Sequence, residues 1–382
     1  MARLFTKQRR LDVDVLGSTI RLSFLTDEPD EHYDRLRRAW SGATVSRRRP
    51  DSTLAVGTNV AKSKDYDAYG ADYDALAATV STKVTLRGIE LARGKHLMLH
   101  AAGVALPDGR VVAFVAPSGG GKTTLASHLG KQFGYVSDET VLIDRDLRVF
   151  PYRKPLSVIE DPEKKWRKTQ VSPDELNLLA LPRTPLTLAA IVLFERDANH
   201  GDSPELGNVA LPEAIEDLSG QISYFGDLPD SACMLADVVH KTGGVRTLRY
   251  SEADSVASVL DQIIAEQHPD TDWSDVSSTV TEHRADDTYT RRDGVVAVNT
   301  AGSIVTMSDG TVRVLSGLSP VIWEVIANGA RLEVIERALV EEFGAPEGMD
   351  ARDVTQQAVD TLMAEGLISF NSTKPVQIES PW

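Results

Sequence analysis

Apolar and polar positions alternate with different periods along this chain, and each period marks a region. From Leu11 to Leu25 the run LDVDVLGSTIRLSFL alternates strictly, which predicts a β-hairpin with Gly17-Ser18 at its turn. The stretch to about Asp72 is polar and broken by Gly, Pro and Asp, so loops and short strands are expected. DYDALAATVSTKVTLRGIELARGKHLMLHAAGVAL then predicts a helix leading to a strand that ends at His100. From Val104 to about Ile264 strand-like and helical segments alternate, the pattern of an α/β domain. Within it LTLAAIVLF (Leu186 to Phe194) is about half as long as a membrane helix and reads as a buried strand of a parallel sheet. HPDTDWSDVSSTVTEHRADD (His268 to Asp287) has no apolar period and reads as a linker.

Beyond the linker the pattern changes. TYTRRDGVVAVNT, SIVTMSDG and TVRVLSG predict three short strands, with Asp309-Gly310 a hairpin turn. Three helical patterns follow. LSPVIWEVIANG has Ser319 as N-cap, Pro320 in the first turn and Gly329 past the end. RLEVIERALVEEFG places Leu332, Ile335, Leu339 and Phe343 on one face, and ARDVTQQAVDTLMAEGL places Val354, Ala358 and Leu362 on one face before Gly366. The expected domains are a mixed β/α region over 1–96 packed on an α/β core over 97–267. A linker over 268–287, an α+β domain over 288–371 and a tail over 372–382 follow.

Composition narrows the partners. The 382 residues are 42% hydrophobic and 25% charged, with a formal net charge of −15. So acidic a chain excludes nucleic acid or an anionic membrane as the main partner, because both need clustered Lys and Arg. The short run SRRRP (Ser46 to Pro50) reads as a solvated loop. The single cysteine, Cys233, permits no internal disulfide, and its apolar helical neighbours predict a buried, inert thiol. With no secretory pattern at the start, a cytoplasmic protein is expected.

One segment carries chemistry: GRVVAFVAPSGGGKTTLASHLGKQFGYVSDETVLID, Gly109 to Asp144. A strand, a glycine-rich turn and a helix that begins at lysine make a phosphate cradle of backbone N–H groups. Ser118, Gly119, Gly120 and Gly121 supply the loop, and Lys122 the charge for the outer phosphates. Thr123 is placed to ligate Mg²⁺, and Thr124 to reach a further phosphate. The usual motif opens with glycine where this chain has Ala116. Ser137-Asp138-Glu139 ends the very next strand, so a carboxylate there could orient magnesium or take a proton from an attacking hydroxyl. A solvated turn is the plainer reading of the pair.

LMLHAAGVALPDGRVVAFVAPSGGGKTTLASHL followed by YVSDETVLID resembles the nucleotide-binding core of the HPr kinase/phosphorylase family and its peptide-tailoring relatives. The resemblance implies an α/β P-loop kinase domain using ATP and Mg²⁺, with Asp138 as the base toward an acceptor serine and His100 at the same site. Glu139 stands where the family has a second aspartate, which leaves its magnesium role open. VFPYRKPLSV resembles a basic segment of these relatives and nominates Arg153 and Lys154 as a substrate or phosphate clamp. His100 can equally be a core histidine, and Arg153 and Lys154 a solvated turn.

The C-terminal region has the shape of a winged-helix domain, but Asp286 to Phe370 holds six arginines, no lysine and fourteen Asp or Glu, a formal charge of −8. That charge excludes duplex DNA. VLSGLSPVIWEVIANGARLEVIERALVEEFG with DVTQQAVDTLMAEGLI is similar to the PqqD-like family, which grips the leader of ribosomally made precursor peptides. The resemblance implies that the leader adds as a strand along Thr311, Val312, Arg313, Val314 and Leu315, in a groove walled by Val354, Ala358 and Leu362. A purely structural role for the region is the alternative.

The reading taken from the sequence is an ATP-dependent serine kinase acting on a precursor peptide held by its own tail domain. A small-molecule kinase with a structural tail, or a nucleotide-dependent protein that delivers peptide without transferring phosphate, are the rivals. Self-association is left open.

Overall fold

A computed structural model describes residues 7–26, 31–46, 49–58, 64–158, 168–266, 270–278, 285–300 and 302–372. Arg47 and Arg48 of the SRRRP run, eight of the twenty residues of the expected linker and ten of the eleven in the tail over 372–382 lie outside the described residues. The chain divides into two units, one of Met1–Val209, Leu218–Leu228 and Lys241–Pro269, the other of Ala210–Asp217, Pro229–His240 and Asp270–Trp382.

In the first unit the N-terminal alternation forms β1 (Lys7–Val15) and β2 (Ser18–Thr26), paired antiparallel. The turn sits one residue earlier than Gly17-Ser18: Leu16 and Gly17 both have positive φ, 53° and 79°, as a tight two-residue hairpin turn requires. Leu11, Val13, Val15, Ile20, Leu22 and Phe24 face inward, while Asp12 and its cross-strand partner Arg21 form a 2.7 Å ion pair on the other face. Helix α1 (Glu31–Ala39), then β3 (Ser52–Gly57) and β4 (Ala68–Tyr69), complete a four-stranded sheet region in the order β1-β2-β3-β4.

Helix α2 (Tyr73–Ala92) starts at Asp72, whose carboxylate accepts from the Ala75 N–H at 2.9 Å. It buries Leu76, Val80 and Val84 in the same cluster as the hairpin. Met98, Leu142 and Tyr152, from beyond residue 96, belong to that cluster too.

Two sheets meet at His100. β5 (Leu97–Leu99) pairs with β9 (Val141–Ile143), which pairs with β10 (Val149–Phe150). β6 (Ala101–Ala105) instead enters a six-stranded sheet, in which it lies between β7 (Arg110–Val115) and β8 (Gly134–Ser137). Its remaining strands are β13 (Thr187–Arg196), β14 (Glu205–Val209) and β15 (Val245–Tyr250), in the order β14-β15-β13-β7-β6-β8. β13 is parallel to both β7 and β15, as expected for LTLAAIVLF, but the sheet is mixed rather than parallel, since β6 and β14 run antiparallel to their neighbours. Helix α3 (Lys122–Leu129) packs Leu125, Ala126 and Leu129 beneath this sheet with α6 (Leu260–Ala265), and β11 (Leu156–Val158) pairs with β12 (Thr169–Val171).

In the second unit α5 (Ser231–Lys241), which follows α4 (Leu211–Ser219), carries the buried Cys233; burial pushes its thiol up to about 12. Part of the expected linker is ordered as β16 (Ser274–Asp275), which pairs with β18 (Val296–Thr300). The first expected strand is two strands: β17 (Thr288–Arg291) turns away at Gly294 before β18 begins. β19 (Ser303–Ser308) and β20 (Thr311–Leu315) join through Asp309 and Gly310, both with positive φ. Leu318 rather than Ser319 occupies the N-cap of α7 (Ser319–Val325). α8 (Leu332–Phe343), α9 (Ala351–Ala364) and β21 (Ile368–Asn371), which pairs with β17, enclose the fully buried Trp323. Its indole N–H donates to Val276 O at 3.0 Å.

Gly88 marks the closest approach of α2 to the hairpin: a Cβ there would lie 2.3 Å from Val15 Cγ1. Overpacking of about 1–3 kcal/mol outweighs the gain of about 1 kcal/mol that alanine brings to a helix over glycine. Gly88→Ala is therefore expected to lower the thermal midpoint followed by circular dichroism. An unchanged or higher midpoint would show that the hairpin yields.

Candidate functional site

The glycine loop lies between β7 and α3. Its left-handed residues are Gly119 and Gly121, with φ of 84° and 95° and open space where a Cβ would stand. Ala116 is not among the positive-φ residues, so its departure from the usual glycine leaves the loop intact. No side chain caps α3, and its first N–H groups are left for an anion. The Lys122 ammonium is buried and donates to Ala116 O at 2.6 Å and Pro117 O at 3.0 Å. Burial lowers its pKa, against the pull of Asp138 and Glu139.

The acidic strand end reaches this loop. Asp138 is 4% exposed. Its Oδ2 accepts from Thr123 Oγ1 at 2.9 Å, and its Oδ1 accepts from the Tyr135 hydroxyl at 3.0 Å and lies 3.3 Å from Lys154 Nζ. Burial, reinforced by the Asp138 charge, holds the Tyr135 phenol well above its ordinary value, so it stays a donor. Ser137 Oγ accepts from the N–H groups of Glu139 (3.2 Å) and Thr140 (3.1 Å), which fixes the turn that aims both acids.

Arg153 and Lys154 take opposite directions, as neighbours in an extended segment do. Lys154 Nζ, 3% exposed, also lies 3.1 Å from Glu139 Oε2. Burial opposes its charge, but Asp138 and Glu139 outweigh that and raise its pKa. Arg153 instead donates to Tyr135 O at 2.7 Å and Leu179 O at 2.9 Å and does not line the cavity. Its role is to tie these segments together.

His100 stands where the chain passes from β5 to β6, its N–H donating to Gln221 O. Nδ1 is 2.9 Å from Glu139 O. A carbonyl can only accept, so Nδ1 carries the proton and the neutral ring presents Nε2 as its lone pair. Burial and the nearby Lys122 lower its pKa, which favours that neutral ring.

These groups share a cavity of about 570 Å³, lined by the loop from Ser118 to Thr124 together with His100, Asp138, Glu139 and Lys154. The structure thus brings together every sequence-nominated residue of the first unit except Arg153 and Gly120, whose added Cβ would meet Ala116 Cβ at 2.9 Å. Sequence reasoning missed Tyr135, Ser137 and Lys168. The Ser-Asp-Glu order at a strand end could have signalled Ser137, whereas Lys168 stands in a stretch without periodicity.

In the second unit β20 pairs, among the described residues, only with β19 and is an edge strand of its sheet there. Thr311 is exposed, Val312, Arg313 and Val314 are half-buried and Leu315 is buried. On α9, Val354 lines a cavity of about 300 Å³ with Leu318, Leu339 and Phe343. Ala358 packs against the core, and Leu362 is a core residue at 1% exposure, inside the groove wall rather than on it.

No family model matches the chain. A 98-residue stretch is 34% identical to the ATP-dependent lipid A-core flippases of Francisella novicida and Francisella tularensis subsp. holarctica (strain OSU18), covering 25% of this chain and 16% of each flippase. A 63-residue stretch is 44% identical to ABC transporter G family member 25 of Oryza sativa subsp. japonica, covering 16% of this chain and 6% of that protein. The chain therefore spans less than a fifth of the length of these relatives. Among the described residues no helix is long and apolar enough to cross a membrane.

Removing the ammonium strands the buried Asp138 charge, so Lys154→Met is expected to cost about 3–5 kcal/mol at neutral pH. Because the folded pKa of Lys154 is raised above the ordinary 10.5, its contribution is complete below that value and is lost as pH rises through the folded one. Urea unfolding at neutral and strongly alkaline pH checks this. The gap between wild type and variant should close only at the alkaline end.

Proposed function

We propose that this protein is an ATP-dependent kinase that phosphorylates a hydroxyl, serine by preference, of a precursor peptide held through its leader by the second unit. One observation carries the reading: a buried carboxylate, Asp138, hydrogen-bonded to the residue after the loop lysine and paired with Lys154. A carboxylate there also serves a Mg²⁺ in plain nucleotide binding, but transfer to a hydroxyl needs a base at that place as well, and Asp138 supplies one.

In this reading ATP lies with its phosphates on the loop N–H groups and on Lys122, which leaves the carbonyls of Ala116 and Pro117 to reach them. Asp138 takes the proton of the acceptor hydroxyl. The hydroxyl oxygen forms a bond to the terminal phosphorus as the bond to the bridging oxygen breaks, and ADP leaves. Lys122 and Lys154 offset charge on the transferred group. Thr123 Oγ1 and the carboxylates of Asp138 and Glu139 are hard oxygen donors suited to Mg²⁺. When bound, the ion neutralises phosphate charge.

The edge of β20, unpaired among the described residues, suits a leader that adds as a strand, and tethering it raises the acceptor's local concentration to around millimolar. The local likeness to ATP-dependent transport proteins favours a second reading, in which ATP is hydrolysed to drive peptide delivery and no phosphate is transferred.

Asp138→Asn is expected to retain affinity for a non-hydrolysable ATP analogue while transfer falls about 10²- to 10⁴-fold; Lys122→Ala should lose that affinity. Mass spectrometry of precursor peptide incubated with ATP and Mg²⁺ separates the readings. A gain of one phosphoryl group supports the kinase, and ATP turnover over unmodified peptide supports delivery. Val312→Pro, which removes a backbone donor from the β20 edge, should weaken leader binding in fluorescence anisotropy.

A further inference from the structure

We propose that a second cavity, running along α2, receives the acceptor segment of the peptide and selects a short extended stretch with a cationic residue about four positions from the hydroxyl. This rests on the kinase reading above. The cavity measures about 700 Å³ and shares Glu139, Lys154, Ser157 and Lys168 with the phosphate cavity. Thr124, Ser127 and His128, at the α3 end, line only the phosphate cavity. The two cavities therefore meet beside the acidic pair, where the outer phosphate points and an in-line acceptor must arrive.

Its α2 wall is built from Ala75, Ala78, Ser81, Thr82 and Thr85, spaced by three and four on one face. Among the described residues that line it there is no aliphatic side chain larger than alanine and no aromatic ring, and these residues suit a polar occupant. Opposite stands Gln170, 7% exposed, with Nε2 donating to Ser157 Oγ at 2.7 Å. Its buried Oε1 has no partner among the described residues. A buried orphan carbonyl calls for an N–H donor, and an extended peptide presents one on a given side at every second residue.

Charge is divided along the cavity. Lys154, paired with Glu139, and Lys168 stand at the shared end, and the hydrogen bond between Thr85 Oγ1 and the Tyr152 hydroxyl at 2.8 Å brings that end of α2 to the segment carrying Lys154. Asp72 and Asp74 stand at the start of the helix. From Asp74 to Thr85 the helix rises about 16 Å, at roughly 1.5 Å per residue. Four steps of extended chain span about 13–14 Å, and the long side chain of a lysine covers the remainder. A hydroxyl at the Lys154 end thus places a residue about four positions away beside the aspartates.

Capped synthetic peptides with lysine four positions from serine, in either chain direction, and their glutamate counterparts test this. Binding is read by fluorescence anisotropy with a non-hydrolysable ATP analogue, and transfer with ATP and Mg²⁺. Ala78→Trp fills the exposed wall of the cavity without touching the buried side of α2. Gln170→Leu removes the orphan carbonyl, and Lys83→Trp, off the cavity face, is the control. Expected are at least tenfold tighter binding of a lysine peptide than of its counterpart, and at least tenfold loss in Ala78→Trp and Gln170→Leu. ATP-analogue affinity and the Lys83→Trp control should match wild type. Equal affinity for lysine and glutamate peptides, or Ala78→Trp within twofold of wild type, overturns the assignment. Peptides phosphorylated alike in every variant leave the kinase standing and remove the cavity. Lysine peptides bound in an Ala78-dependent way but never phosphorylated keep the cavity and remove the kinase.

Discussion

The first unit turns on one buried ammonium. Lys154 sits between the carboxylates of Asp138 and Glu139, at 3.3 and 3.1 Å, almost without access to water. Two acids side by side at a strand end repel each other, and burial raises the cost of keeping both ionised. The lysine offsets that repulsion, and Asp138 is held within reach of Thr123. Remaining members of the site are positioned through the same pair: His100 bonds the Glu139 carbonyl, Tyr135 bonds Asp138, and Ser137 holds the turn between them. Buried ion pairs are poor sources of net stability. The arrangement makes more sense as a way of holding charge ready for another charged group.

Much of the first unit was legible in the sequence because its signals are local. A strand, three glycines, a lysine and a helix fix the loop through backbone geometry alone, and the central place of LTLAAIVLF followed from its unbroken apolar run. The hairpin was legible too, although its turn fell on Leu16-Gly17. Two positive φ angles are needed there, and strict pairing from Val15 to Ser18 leaves only those two residues to supply them. Asp309-Gly310 met the same demand and was readable outright.

What stayed hidden is long-range. Nothing in the neighbours of Arg153 and Lys154 says which one turns inward, because the choice is set by Tyr135 O, Leu179 O and the two acids, which lie far off in the chain. Nor does the pattern of α2 announce a cavity. Its small residues read as ordinary helix formers until Gln170 and Lys168 stand opposite them. Leu362 shows the opposite error: the face shared with Val354 and Ala358 is real, but that face turns into the core by its last turn.

The ordered fragment of the expected linker changes what the small sheet can do. Sheets are extendable objects, and a bare edge invites either a guest or another copy. Two residues, Ser274 and Asp275, lie against β18, while among the described residues none pairs with the opposite boundary at β20. A polymer that grew by edge pairing would need two open ends, and here one is stoppered by the chain itself. A strand that joins along five residues therefore finds them on β20, from Thr311 to Leu315, whereas β16 offers only two.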